Sequence, residues 1–79
     1  MASSFTPLQR AERVGRRQEG ALDHAQAAAA GLSDGQIHRI VASGRWCRPV
    51  VGVYVVSGAP PTQRQRAMVA WLAARRAGG

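Results

Sequence analysis

One helix-start signal occurs four times in this sequence, and it limits the folds that the chain can adopt. In each case a threonine, aspartate or serine stands three residues before a glutamine: Thr6 with Gln9, Asp23 with Gln26, Ser33 with Gln36, and Thr62 with Gln65. The first side chain accepts a backbone amide proton while the glutamine reaches back to the amide of the first residue, which is the capping box of a helix N-terminus. Four helices are therefore predicted. Glycine favours the left-handed C-cap, which places the helix ends near Gly20, Gly31, Ser43 with Gly44, and Ala77 with Gly78.

The segment between the third and fourth helices has the composition of β-structure. Residues 45–48 and 53–56 are rich in aromatic and β-branched side chains, and residues 49–52 between them include a proline and a glycine. We predict a short β-hairpin, followed by a loop over residues 57–61. The expected fold is mainly α with this hairpin, in the order α-α-α-β-β-α, which is a winged helix-turn-helix.

The second and third predicted helices are joined by a very short turn. Only Gly31 and Leu32 separate Ala30 from the Ser33 cap, as in a helix-turn-helix. Leu32 before the cap and Ile37 at the fourth helical position form a hydrophobic staple that fixes the entry angle of the third helix. The helical period then predicts which residues of that helix are buried, namely Ile37, Ile40 and Val41.

The opposite face of the third helix is small and polar. At about 100° per residue it presents Gly35, Arg39 and Ala42. A helix that enters the major groove of DNA needs low bulk and a few hydrogen-bonding side chains, and this face has both. Arg39 is expected to reach a base edge, whereas Arg45 and Arg48 flank the first hairpin strand and are expected to meet phosphates. The predicted DNA-binding residues are Ser33, Gln36, His38, Arg39, Ser43, Arg45 and Arg48.

The length and charge of the chain fit this interpretation. Seventy-nine residues suffice for one small domain, expected over residues 7–79 after an N-terminal tail of residues 1–6. Eleven arginines against four acidic residues give a formal net charge of +7, which favours a polyanionic partner. The lack of lysine also fits a GC-rich genome, so arginine content alone is weak evidence for DNA binding. A single cysteine excludes a disulfide framework, and no apolar run approaches the roughly 20 residues of a membrane span, so a cytoplasmic protein is expected.

We expect no enzymatic chemistry within this chain. Cys47 could be imagined with His24 or His38 as a nucleophile and its base, but no third residue is placed to orient the base. Cys47 within a strand, and Trp71 at helical spacing from Met68, are better explained as packing residues. No spacing in the sequence indicates a metal site, and no cofactor is expected.

The remaining arginines are predicted to have two kinds of role. Most are expected to be solvated, either as a stripe on the first helix or near helix C-termini, where they complement the helix dipole: Arg10, Arg13, Arg16, Arg17, Arg75 and Arg76. Arg64 and Arg66 differ, because they lie in the first turn of the fourth helix, where the dipole disfavours cations. An anion is expected near them, either a DNA phosphate or an acidic protein surface.

Six short runs also form a series along the chain. They are residues 28–34, 36–37, 43–46, 52–54, 58–62 and 64–66, and the strongest are the Gly-Leu-Ser-Asp turn and the Gly-Val-Tyr strand. Their order and spacing resemble the N-terminal domain of AbiEi-type antitoxins, the regulators of type IV toxin–antitoxin systems, over about residues 10–75. The resemblance implies a winged helix that binds operator DNA and represses its own operon. It also implies that the chain is the N-terminal part of a longer architecture, whose C-terminal domain neutralises a nucleotidyltransferase toxin.

Three functions therefore remain open. The first is a DNA-binding domain of a transcriptional repressor and antitoxin. The second is a DNA-targeting module of a longer protein that resembles a restriction endonuclease. The third is a protein-interaction winged helix whose positive charge reflects genome composition, and it predicts little affinity for duplex DNA and little dependence on salt.

Overall fold

The computed structural model describes residues 5–78, which form four helices and a three-stranded antiparallel sheet. Residues 1–4 of the expected tail, and Gly79, lie outside this range. The predicted winged helix-turn-helix arrangement is confirmed, with one strand more than expected. In chain order the elements are α1 (Pro7–Arg16), β1 (Ala21–Asp23), α2 (His24–Ala29), α3 (Asp34–Ala42), β2 (Trp46–Val50), β3 (Val53–Val56) and α4 (Gln63–Ala77).

The helices begin where the capping signals place them. Complete capping boxes form at Thr6, Asp23 and Ser33. At the fourth site the Thr62 hydroxyl accepts the amide proton of Gln65 at 3.1 Å, but the Gln65 side chain does not return to Thr62. Instead its Nε2 donates to the carbonyl oxygen of Glu19 at 3.0 Å. Gln65 therefore connects α4 to the turn after α1, and the reciprocal hydrogen bond predicted at the start of α4 does not form.

The helix ends match the prediction less closely. Gly31 and Gly44 have the expected left-handed conformation, whereas Gly78 has φ −74° and does not. The first helix ends at Arg16, and the chain reaches Gly20 through a turn. Glycine is required at position 20 because φ is +86° there and a Cβ atom would collide with the side chain of Ala59.

Strand β1 is absent from the prediction. It is the edge strand of a sheet with the order β1-β3-β2, and it pairs antiparallel with β3 from Ala21 opposite Val55 to Asp23 opposite Val53. With three residues, all buried, β1 is too short to show a period of two. The strand also ends at Asp23, the residue that caps α2, so the sequence at this point indicates the start of a helix and gives no indication of a strand.

The hairpin is tighter than predicted. Strand β2 continues through Pro49 to Val50, so only Val51 and Gly52 remain for the turn. Proline is compatible with this position because β2 is an edge strand and its pairing with β3 is irregular between Cys47 and Val50. Gly52 has φ +77°, and a side chain there would collide with the guanidinium of Arg76.

The sheet separates two hydrophobic clusters. On one face, α1, α2 and α3 pack over a cluster that includes Leu22, Trp46 and Tyr54. On the other face, Leu72 of α4 packs over Val53 and Val55. Neighbouring residues of β3 thus point to opposite sides, as strand geometry requires. The helix α3 and the helix α4 consequently lie on opposite faces of the sheet.

The predicted burial of α3 is confirmed for Ile37 and only in part for Ile40 and Val41, and two other packing predictions are wrong. Ile37 is 3% exposed, while Ile40 and Val41 are half-buried against the same cluster. Trp71 is 52% exposed because Leu72, the next residue, is the one that faces the sheet. Cys47 is exposed because it lies on the edge strand β2, opposite Val55.

Candidate nucleic-acid interface

The turn between α2 and α3 holds α3 in a fixed orientation. The amide of Gly31 donates to the carbonyl oxygen of Ala28 at 2.9 Å, and that of Leu32 to the carbonyl oxygen of Ala27 at 3.2 Å. Gly31 takes φ +109° at this point. Leu32 and Ile37 are both buried in the cluster on the α3 side of the sheet, which fits the predicted staple. The entry to α3 is therefore fixed by hydrogen bonds and by packing.

The outward face of α3 is uncovered along its length. Its exposed residues are Asp34, Gly35, Gln36, His38, Arg39 and Ala42, followed by Ser43 after the helix. No atom lies within 4 Å of the position that a Cβ of Gly35 would occupy. The side chains nearest the middle of this face are small apart from Arg39. The face is thus a narrow ridge with one guanidinium at its centre.

A groove runs along one flank of α3, between that helix and the start of α1. Its volume is ≈ 510 Å³, and its wall includes the apolar side chains of Leu8, Leu32 and Ile40. Four predicted site residues line it, namely Gln36, Arg39, Ser43 and Arg45. The structure thus brings more than half of the predicted DNA-binding set together on this flank.

A smaller groove, of ≈ 270 Å³, follows the other flank, between α3 and the hairpin. It brings the predicted residues His38 and Arg48 together with three side chains that the sequence did not single out for DNA binding: His24, Asp34 and Tyr54. The Nε2 atom of His24 lies 2.8 Å from Oδ1 of Asp34. Burial raises the pKa of Tyr54, against the opposing charges of Arg48 and Arg76. No local signal in the sequence places His24 and Tyr54 beside α3, because their positions next to that helix depend on the tertiary fold, whereas Asp34 is the first residue of α3 itself.

Capping limits what Ser33 and Gln36 can contribute. The Ser33 hydroxyl accepts the Gln36 amide proton at 3.2 Å, and Oε1 of Gln36 accepts the Ser33 amide proton at 2.8 Å. A bidentate contact with adenine needs both the oxygen and the nitrogen of a glutamine side chain. Oε1 already accepts one hydrogen bond within the chain, so a bidentate contact would require it to accept a second one, whereas the Nε2 donor of Gln36 has no partner within residues 5–78.

Ser43 is also engaged within the chain. Its hydroxyl donates to the carbonyl oxygen of Ile40 at 2.8 Å and accepts the amide proton of Arg45 at 3.4 Å. The residue thus completes the end of α3 and connects it to β2. This arrangement leaves the Ser43 hydroxyl without a second proton to donate to DNA.

Arg45 has a partner that the sequence did not identify. Its Nε and a terminal nitrogen donate to the two carboxylate oxygens of Glu12 at 2.8 and 2.9 Å. The indole nitrogen of Trp46 donates to the same carboxylate at 2.9 Å. The hydrogen bond from Arg45 lowers the pKa of Glu12, against the effect of burial, and the Trp46 bond lowers it further. Glu12 therefore holds the start of β2 against α1, and it offsets the positive charge that Arg45 presents.

Arg39 and Arg48 have no such partner. Within residues 5–78, neither guanidinium forms a hydrogen bond or an ion pair. Both residues are exposed, Arg39 on α3 and Arg48 on the neighbouring hairpin. Arg64 and Arg66 are exposed as well, but they lie in the first turn of α4 on the other side of the sheet. The predicted cations are therefore divided between two surfaces.

Two of the arginines predicted to be solvated also hold elements together. Arg10 donates to the carbonyl oxygens of Ala30 at 3.1 Å and Phe5 at 2.7 Å, which links α1 to the end of α2. Arg75 donates to the buried carboxylate of Asp23 at 2.7 Å, which links α4 to β1. Both residues are exposed, as predicted, but these links were not predicted, because the acceptors Ala30 and Asp23 lie 20 and 52 residues away in sequence.

Residues 5–78 contain no group of three or more histidine, cysteine or acidic side chains that could hold a metal ion. In the same part of the chain, no helix has the length and apolar character needed to cross a membrane. The site is characterised by exposed cations on and beside the outward face of α3. Comparisons of the chain with protein-family models, with curated proteins and with solved structures found no match.

Proposed function

We propose that this chain is a DNA-binding winged helix that inserts α3 into the major groove and places the β2–β3 hairpin along the backbone. The observation that carries the proposal is the pair of unpartnered cations, Arg39 and Arg48, on the exposed side of α3 and its neighbouring hairpin. Exposed arginines without protein partners are free to bind phosphates or base edges. The formal net charge of +7 supports a polyanionic partner.

The shape of α3 supports insertion into DNA. The major groove is about 12 Å wide, close to the diameter of a helix with its side chains. Gly35 and Ala42 keep the exposed ridge low on either side of Arg39. In this proposal Arg39 donates to a base edge, for which guanine is the best match because its O6 and N7 accept two hydrogen bonds from one guanidinium.

The two flanks of α3 have different roles in this proposal. Arg48, with His38 beside it, faces the phosphates between α3 and the hairpin. On the other flank, Leu8, Leu32 and Ile40 offer an apolar wall next to Gln36. Such a wall suits the methyl group of a thymine next to the base that Arg39 reads.

The resemblance to AbiEi-type antitoxins extends the proposal to a biological role. We infer a cytoplasmic repressor that binds the operator of its own operon. A cognate nucleotidyltransferase toxin would then bind a region that this chain does not include. The helix-turn-helix and the hairpin support only the DNA-binding part of this role.

Binding to a fluorescently labelled duplex at several salt concentrations tests the proposal. We expect affinity on the order of micromolar or weaker for random duplex, falling steeply with added salt because each phosphate contact contributes about −0.9 to the logarithmic slope. Arg17→Ala is a matched control, since Arg17 is exposed and follows the end of α1, about 15 Å along the helix from Pro7, which lines the groove beside α3. Absence of binding at low salt, or affinity that salt does not change, would contradict the proposal.

A further inference from the structure

The outer side of α4 exposes an aromatic side chain. Trp71 is 52% exposed, although the next residue, Leu72, is completely buried against the sheet. Met68 and Ala67 lie one turn before Trp71, and the three side chains line a shallow cleft of ≈ 380 Å³. A tryptophan half open to water beside a methionine is the composition of a contact surface for another molecule.

Arginines bracket this apolar cleft along the helix. Arg64 lines its start, seven residues before Trp71, and Arg75 follows four residues after Trp71. The guanidinium of Arg75 lies 4.5 Å from the centre of the Trp71 ring. Arg75 is paired with Asp23, whereas Arg64 and Arg66 form no ion pair within residues 5–78, although Glu19 lines the same cleft. The helix N-terminus adds positive potential at Arg64.

The position of α4 separates this surface from the DNA site. The sheet lies between α3 and α4, with one hydrophobic cluster on each face. A straight duplex held by α3 therefore cannot reach Arg64 or Trp71. An anionic partner for the arginines in the first turn of α4, where the helix dipole disfavours cations, would therefore be a molecule other than that duplex.

We propose that the outer face of α4 docks an amphipathic helical segment of a protein partner whose acidic residues flank an apolar stripe. The apolar stripe covers Trp71 and Met68, and the acidic residues pair with Arg64 at one end of the cleft. Ala67, Ala70 and Ala74 are exposed and small, so a second helix can approach α4 closely. A second copy of the chain is disfavoured as occupant because it would bring the same arginines against each other.

The test uses a designed amphipathic peptide with leucines on one face and glutamates on the other. A matched peptide carries lysines in place of the glutamates, and binding is measured from the anisotropy of a label on each peptide. We expect the acidic peptide to bind and the basic one not to bind. Trp71→Ala and Arg64→Glu should each weaken binding about tenfold or more, because they remove the aromatic anchor and reverse the paired charge.

The control variant is Arg17→Glu, which reverses an exposed charge at the end of α1 and should leave peptide binding unchanged. Duplex DNA affinity should survive Trp71→Ala, which separates this proposal from the function of α3. Equal binding of both peptides, or equal losses for Arg64→Glu and Arg17→Glu, would overturn the proposal. If the chain self-associates and Trp71→Ala abolishes this self-association, the occupant is a second copy of the chain and the proposal is overturned. If single-stranded DNA binds and this binding depends on Trp71, the occupant is a nucleic acid and the proposal is likewise overturned.

Discussion

The indole N–H of Trp46 donates to the carboxylate of Glu12 at 2.9 Å, between residues that are 34 positions apart in sequence. Trp46 is the first residue of β2, and Arg45 before it binds both oxygens of the same carboxylate. A buried side chain of α1 thus holds the point where the helix-turn-helix passes into the hairpin. The position of α3 relative to the hairpin depends on this contact.

Replacing Glu12 should therefore destabilise the fold. Glu12→Gln keeps the shape of the side chain but loses the charge that Arg45 and Trp46 bind, so we expect a loss of about 1–3 kcal/mol in the free energy of unfolding. Urea denaturation followed by circular dichroism measures this loss. Glu19→Gln is the matched control, because Glu19 is exposed and its side chain has no hydrogen bond within residues 5–78, and its effect should stay within about 0.5 kcal/mol. Equal effects of the two substitutions would show that the Glu12 contacts contribute nothing.

The same contact predicts how stability depends on pH. The Arg45 hydrogen bond lowers the pKa of Glu12 in the folded state below its ordinary value of 4.5. The folded state therefore holds this proton less tightly than the unfolded state, and the stabilisation is complete above the ordinary pKa. It is lost as the pH falls through the lower folded value. The difference in unfolding free energy between the wild-type chain and Glu12→Gln should shrink as the pH falls below 4.5; a constant difference would contradict this account.

Two residues of α3 are buried to different extents, so their replacement should lower the stability of the fold by different amounts. Ile37 is 3% exposed, so Ile37→Ala should cost about 2–5 kcal/mol and unfold much of a domain this small. Ile40 is only half-buried and also lines the groove beside α3, so Ile40→Ala should cost clearly less. Thermal unfolding of the two variants measures the order of the effects. A larger loss for Ile40→Ala would mean that α3 is rotated about its axis relative to this structure.

The helix starts were predictable because a capping box is local. Each box depends on two residues three positions apart, and the signals at Thr6, Asp23 and Ser33 led to complete boxes. The face of α3 was predictable for a similar reason, since the helical period alone sets it. The short strand β1 was not predictable in this way. It is defined by its pairing with β3, in which Ala21 lies opposite Val55, more than thirty residues later in the chain.

The role of individual arginines could not be read from the sequence. Nothing near Arg45 or Arg75 in the sequence indicates that their acceptors are Glu12 and Asp23, which lie 33 and 52 residues away. For Trp71, the helical period left open which side of α4 the sheet would cover. These relationships arise only when distant elements pack together.

The pairing with Glu12 changes what is expected of Arg45 in DNA binding. Because the Glu12 carboxylate offsets its charge, Arg45→Ala should reduce the salt slope of duplex binding by less than Arg48→Ala does. Arg45→Ala should also destabilise the fold, since Glu12 loses its main partner. Slopes from binding titrations and unfolding curves on the same two variants measure both effects. A full loss of about 0.9 from the slope for Arg45→Ala would mean that Arg45 leaves Glu12 to bind a phosphate.

The most direct test compares affinity for a duplex selected from a random pool with affinity for unselected duplex, each at several salt concentrations. Arg39→Ala should cost about 1–3 kcal/mol on the selected duplex and less on the unselected one, because Arg39 is expected to contact a base edge. Arg48→Ala should weaken both duplexes about equally and lower the salt slope by about 0.9, and Arg17→Ala should change neither. Equal losses on both duplexes for Arg39→Ala, or no loss for either Arg39→Ala or Arg48→Ala, would contradict DNA recognition by α3.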